Sequence, residues 1–245
     1  MRILALTCEV LSRPVYLSAA RSPHVVDVRL NVRGLHDRPS GLRETLQAGI
    51  DATADPYDAI VLAYGLCGAA LDGITARDLP VVVPRAHDCI TLFLGDRARY
   101  AGEAAANPGT YWYVRDYLER GDATGAFAGL GATSDASARA THEEYVRRYG
   151  KDNADYLMEA MGAWRAHYDR AAFIDLGIGD ASDARKRAEA DAEARGWRFE
   201  QVEGSLMLIR RLIEGDWGDS DFLVLRPGQR LAMSYDDSVV RGVPG

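Results

Sequence analysis

Residues 79–95, LPVVVPRAHDCITLFLG, hold a strand, a turn and the start of a helix. Val81, Val82 and Val83 are β-branched and uninterrupted by polar residues, the pattern of a strand buried on both faces. Ile90 to Leu94 reads as the opening of a covered helix. His87, Asp88 and Cys89 therefore fall on a strand-to-helix turn. In open α/β sheets such turns, at the carboxyl ends of strands, line the crevice where ligands bind. The helix start adds unpaired N–H groups that favour a thiolate.

Upstream, residues 2–7 form a compact apolar run that meets Cys8 and Glu9, and residues 10–20 suit a short helix despite Pro14. Residues 24–30 alternate apolar and polar side chains, as a half-buried strand does. A helix over 41–52, with Ser40 as its cap, leads to a second fully buried strand at 59–63, which runs out into Tyr64-Gly65-Leu66-Cys67-Gly68. Downstream, the strand signal disappears over 98–169. That stretch is rich in Ala, Tyr, Arg and Glu, and Tyr113, Tyr117, Tyr145, Tyr149 and Tyr156 recur at helical spacing. Strands resume at 171–176, 197–202 and 221–225, with helices over 182–195 and 205–214 between them. The expected fold class is α/β: an open, mostly parallel sheet or sheets with a helical insertion or lid. It divides into an N-terminal half (1–97), the insertion (98–169) and a C-terminal half (170–245). Strand, helix, strand, helix and strand occur in that order in both halves, which suits two similar Rossmann-like lobes or one doubly wound sheet.

Composition narrows the function. With 245 residues, 47% of them apolar and 27% charged, the chain can bury a sizeable core. A formal charge of -7 and no basic cluster interleaved with aromatics argue against nucleic acid as a partner. No apolar run approaches the roughly 20 residues that span a bilayer. The start, MRILALTCEV, lacks a long apolar region followed by a cleavage site, so the expected location is cytoplasmic. In a reducing compartment three cysteines serve as thiols, ligands or nucleophiles more often than as disulfides.

Cys8, Cys67 and Cys89 each lie near the carboxyl end of an expected parallel strand, and the sheet would gather them in space. Thiolates with an imidazole are the ligands zinc prefers, and three protein ligands with one open position make the catalytic arrangement. His87 and Cys89, spaced H-x-C, could both reach one ion. The expected site is thus a zinc ion held by Cys8, Cys67 and Cys89 or His87, acting on a small-molecule substrate. Cysteines of this kind also pack as small hydrophobes. Asp88 is either a helix cap or the group that orients a ligating imidazole or moves a proton. Glu9 is a second proton carrier or a solvated carboxylate, and Arg85 a clamp on a substrate anion or a surface arginine. Glu203-Gly204-Ser205 exits a strand into a helix start, which suits a cofactor's carboxylate or phosphate, with Ser205 as plain cap the competing reading. A metal-free alternative uses Cys67 or Cys89 as nucleophile with His87 as base. No Walker lysine motif or G-x-S-x-G elbow is present.

Thr7-Cys8-Glu9-Val10-Leu11, Tyr64-Gly65-Leu66-Cys67-Gly68, Pro84-Arg85-Ala86-His87-Asp88-Cys89-Ile90-Thr91, Pro108-Gly109-Thr110-Tyr111, Glu203-Gly204-Ser205 and Gly215-Asp216-Trp217 together resemble the bacterial and archaeal family filed as domain of unknown function 1638. The likeness covers nearly the whole chain. Members are often associated with corrinoid-dependent methyltransferase systems, so the resemblance implies methyl-group chemistry and a corrinoid protein or methyltransferase as partner. Zinc methyltransferases that activate thiols use a His-x-Cys and a distant Cys, and His87, Cys89 and Cys67 look like that set. By the same resemblance the chain could instead be a metal or corrinoid carrier without turnover.

Overall fold

The computed structural model describes residues 1–33, 35, 39–53, 56–67, 69–120, 146, 147, 150, 151 and 168–245. They fall into two compact units, one of residues 1–100 with 204–245 and the other of residues 101–203.

In the first unit the fully apolar runs become the centre of a sheet. Strands β1 (Arg2–Cys8), β3 (Ala59–Ala63) and β4 (Val81–Pro84) lie side by side and parallel, β2 (Val25–Asn31) pairs with the outer side of β1, and β8 (Phe222–Leu225) closes the row antiparallel to β4. Every residue of β3 and β4 is buried, as strands covered on both faces must be. A 3-10 turn (Glu9–Leu11) leads from β1 into helix α1 (Ser12–Arg21), whose first turn accommodates Pro14 because that position has no intrahelical acceptor for its N–H. Helix α2 (Pro39–Asp51) buries Leu42, Leu46 and Ile50 at helical spacing against Leu4, Leu6, Ile60 and Leu62. Each such side chain contributes about 1.5–3 kcal/mol of transfer free energy. Helix α7 (Met207–Glu214), the second C-terminal helix, packs with α1 and against β3 and β4, burying Leu208, Ile209, Leu212 and Ile213. It stops at Gly215, at φ 79°, where a Cβ would stand 2.6 Å from Met1 Cε, and Trp217 Nε1 donates to the free Leu212 carbonyl at 2.8 Å. The Gly215-Asp216-Trp217 motif is thus a helix terminator. Strands β9 (Gln229–Met233) and β10 (Val240–Pro244) form an antiparallel hairpin whose Leu231 and Val240 join the core on the α2 side.

The second unit has its own three-stranded parallel sheet in the order β5 (Thr110–Val114), β6 (Arg170–Asp175), β7 (Arg198–Glu203). Between β6 and β7 runs helix α6 (Ser182–Arg195), which lays Ala184, Ala188 and Ala192 on the sheet and ends at Gly196. In sequence, helix α4 (Arg97–Ala106) precedes β5 and helix α5 (Arg115–Glu119) follows it.

The α/β class with mostly parallel strands is as expected, and the internal division differs. Residues 110–114, expected within a helical insertion, form a strand, because Thr, Tyr, Trp and Val suit a pleated surface as well as a helix. The segment 221–225 does not complete a second lobe with β6 and β7. It returns to the first sheet and runs against β4. Of the expected insertion, residues 121–145, 148, 149 and 152–167 lie outside the described residues. Among the described residues no helix is long and apolar enough to cross a membrane.

Candidate functional site

The strand order β2-β1-β3-β4 means that the chain leaves β1 to one side for β2 and returns to the other side for β3. The carboxyl ends of β1 and β3 therefore face a topological switch point, where open α/β sheets bind their ligands. Cys8 is the last residue of β1, Cys67 follows β3 by four residues, and Cys89 opens helix α3 (Cys89–Leu94) just after β4.

Two turns are locked back to back at these strand ends. The Leu66 N–H donates to the Ala86 carbonyl at 2.9 Å and the Cys67 N–H to the His87 carbonyl at 3.2 Å. Gly65 lies so close to the second turn that a Cβ there would stand 2.4 Å from the Asp88 carbonyl carbon. Cys67 has φ 44° and Ala69 φ 70°, left-handed conformations that cost about 1–2 kcal/mol for a residue with a Cβ. Arg43 of α2 holds this turn from below, its Nη2 donating to the Ala69 carbonyl at 3.1 Å. Strain of this kind persists where the surroundings over-determine the backbone, and it gathers at functional sites.

The three thiols converge electrostatically. Burial raises the Cys67 thiol from its ordinary value of about 9 to about 12, with the charges of Cys8 and Asp88 adding to the effect. Cys89 is pushed well above 9, first by burial and then by Cys67, Asp88 and Cys8. The three cysteines keep part of their surface accessible. The sulfurs of Cys67 and Cys89 nevertheless lose enough hydration for desolvation to dominate. The start of α3 was expected to favour a thiolate at Cys89, and it does not. Asp88 occupies the free N–H groups, its Oδ1 accepting from Ile90 at 2.9 Å and Thr91 at 3.3 Å.

Asp88 is accordingly the cap of α3, in extended backbone (φ -151°), and Tyr100 donates to its Oδ2 at 2.8 Å. Burial raises the carboxyl, while the hydrogen bonds of Tyr100, Thr91 and Ile90 oppose the rise. Both oxygens are engaged, so the geometry gives Asp88 a positioning role first. Glu9 accepts from the Arg33 N–H at 2.8 Å, tying the exit of β2 to that of β1. His87 lies exposed on its turn. In sequence Arg85 reads as a clamp on a substrate anion or a surface arginine. Its Nε instead donates to the Asp219 carbonyl at 2.7 Å and its Nη1 to the Ser238 and Val240 carbonyls, which ties down the C-terminal segment. Glu203-Gly204-Ser205 does not join the sulfurs. The Ser205 N–H donates to the Phe93 carbonyl at 2.9 Å, and Ser205 fills the space beside Gly95 at the far end of α3, about 9 Å along the helix from Cys89. Ser205 Oγ accepts from Met207 N at 3.2 Å, and the N-cap position itself falls one residue later, on Leu206.

Three residues of the site carry no chemical signature in the sequence. Tyr64 is 3% exposed, and burial followed by the charge of Cys8 raises its hydroxyl strongly, with Cys67 and Glu9 adding to the rise. Asn31 donates to that hydroxyl at 3.0 Å, and Tyr100 steadies Asp88. The only available signals were the position of Tyr64 directly after a buried strand and that of Asn31 at a strand end. Among the described residues no group of three or more His, Cys, Asp and Glu side chains has the spacing of a preformed metal site.

The raised thiol sets a pH dependence. Below about pH 9 both folded and unfolded Cys67 hold the proton; between about 9 and about 12 the unfolded chain ionises first, so stability falls as pH rises through that window. In chelator-treated protein, the urea midpoint should drop between pH 9 and 11, and Cys67→Ser should flatten the drop. Parallel profiles for the two proteins would contradict the burial of this thiol.

Comparison with curated proteins and with solved structures returns no match for the chain. A family profile described as "Protein of unknown function (DUF1638)" matches residues 32–213, which take in both locked turns and two of the three cysteines and leave Cys8 outside. That match spans well over half of the sequence, and the chain belongs to the DUF1638 family.

Proposed function

We propose that the chain is a metal-binding protein, its ion a zinc held by Cys8, Cys67 and Cys89, with His87 as the alternative nitrogen ligand, and that it transfers a group such as methyl to or from a small thiol substrate. One observation carries this reading: sulfurs from three distant points of the sequence share one electrostatic environment at the switch point of the sheet. The donor set suits zinc, which takes soft thiolates in preference to carboxylates. Sulfurs whose neighbours raise the proton affinity of Cys67 and Cys89 are also a cluster that a cation stabilises, because ligation deprotonates a thiol outright. The described residues have no preformed spacing, so ligation would have to draw the sulfurs together. When bound, zinc would supply a Lewis acid that activates the thiol or water of a substrate.

The chain's own residues would do the positioning. Asp88, fixed by Tyr100 and the first N–H groups of α3, orders the turn that carries Cys89. Tyr64, Asn31 and Glu9 tie the exit of β2 to those of β1 and β3. A second reading, a metal or corrinoid carrier for a methyltransferase system, is favoured by the engagement of Asp88 and Arg85 in structure, which leaves neither as a ready proton or charge carrier. A metal-free cysteine nucleophile is disfavoured, since such nucleophiles have lowered thiol pKa values and these are raised.

Protein purified under reducing conditions should contain about one zinc per chain, and Cys67→Ser should lose most of it. Substoichiometric metal in the wild type, unchanged in Cys67→Ser and not restored by added zinc, would overturn the reading. Tightly held zinc with turnover of a thiol methyl donor would support the enzyme, and zinc that passes readily to a chelator the carrier.

A further inference from the structure

We infer that the chain forms a two-fold symmetric dimer through the outer edge of β2. This strand is seven residues long, and among the described residues its strand partner is β1 alone. The Val25 N–H donates to the Met1 carbonyl at 3.1 Å, so in the parallel ladder residues 25, 27, 29 and 31 face β1. The backbone groups of Val26, Val28 and Leu30 therefore point outward. Edge strands are ordinarily protected by lysine, proline, a bulge or a cover. The sequence VVDVRLN contains neither lysine nor proline, and Val25 is 58% and Leu30 37% exposed, followed by Val32 at 63%.

The occupant is a second copy because the edge is complementary to itself. An antiparallel pairing centred on Val28 sets Val28 opposite Val28 and Val26 opposite Leu30 of the other copy, all with outward backbone groups, as hydrogen-bonded pairs require. It also sets Asp27 opposite Arg29, and Arg29 opposite Asp27, on one face of the joined sheet in the closer, non-hydrogen-bonded pairs. The side chains are ready for this. Asp27 accepts Arg2 Nε, Arg2 Nη2 and the Tyr57 hydroxyl on Oδ2, and among the described residues no hydrogen bond is made to its Oδ1. Arg29 is exposed and makes no ion pair among the described residues, acting on Asp27 through its charge. The contact is isologous and closes on itself.

Sedimentation velocity on the full chain should give twice the 26.8 kDa of one chain at about 100 μM. Val28→Pro removes an outward N–H that β1 does not use and should dissociate the dimer with unchanged near-ultraviolet circular dichroism. Arg29→Glu puts like charges at both pairs and should weaken the dimer by about tenfold or more, while Arg29→Lys retains it. A wild type that stays at 26.8 kDa at every concentration overturns the inference, as does a dimer that survives both folded variants. Should Val28→Pro fail to fold, the charge variants decide alone.

Discussion

Gly65→Ala is expected to destabilise the protein by about 2–3 kcal/mol and, on the zinc site proposed above, to weaken zinc binding together with stability. The new Cβ would stand 2.4–2.7 Å from the Cα, carbonyl carbon and oxygen of Asp88, all backbone atoms that cannot swing aside. The turn carrying Cys67 and the turn carrying Asp88 and Cys89 would have to part, breaking the bonds from Leu66 to Ala86 and from Cys67 to His87. One substitution thus loosens two of the three sulfurs without touching either. Urea denaturation and zinc analysis on the same preparation measure both effects. A midpoint shift worth under about 0.5 kcal/mol would mean that the turns are not locked.

The second large effect is expected at Arg170, 1% exposed at the start of β6 in the second unit. Its Nη1 donates to Glu103 at 2.7 Å and to Thr110 Oγ1 at 3.2 Å, its Nε donates to Glu200 at 2.8 Å, and its guanidinium lies 5.6 Å from the Trp112 ring centroid. Burial alone would lower the guanidinium's pKa, but the hydrogen bonds to Glu103 and Glu200 outweigh it and the pKa is raised. Arg170→Ala leaves a void and Glu103 without its cation, while Glu200 keeps Arg198 Nη1 at 3.3 Å, at a cost of about 3 kcal/mol. Glu200 is itself 43% exposed and can rehydrate, so the value belongs near the lower end of the range for broken buried pairs. Arg170→Met, which refills the volume, should recover about half of the loss. Chemical denaturation followed by tryptophan fluorescence reads both variants. An alanine variant within about 1 kcal/mol of wild type would show the network to be stability-neutral.

The sequence discloses the first sheet well, because residues 3–6, 59–63 and 81–83 can be little other than buried strands, and helix 182–195 is bounded by its own Gly196. It conceals β5, the first strand of the second sheet, since TYWYV sits in a region of Ala, Tyr, Arg and Glu whose tyrosines recur at helical spacing. It conceals the destination of residues 222–225 for a different reason. The run FLVL announces a strand but carries nothing that distinguishes parallel from antiparallel pairing, or one sheet from another. At the candidate site, the placement of Cys8, Cys67 and Cys89 at or just past the carboxyl ends of β1, β3 and β4 follows from strand polarity and is legible. The destinations of Arg85 and Ser205 are not, because both are fixed by carbonyl oxygens from distant segments, and a carbonyl is the same at every residue. The same blindness hides Tyr100, whose value lies in meeting Asp88 from a neighbouring helix.

The anchorage of the C-terminal segment has a corollary for drift. Arg85 and Arg97 clamp that segment through the carbonyl oxygens of Asp219, Ser220, Asp237, Ser238 and Val240 and ask nothing of their side chains. Relatives are free to rewrite positions 219, 220 and 237 while the two arginines stay put, so variability there is compatible with an unchanged mooring.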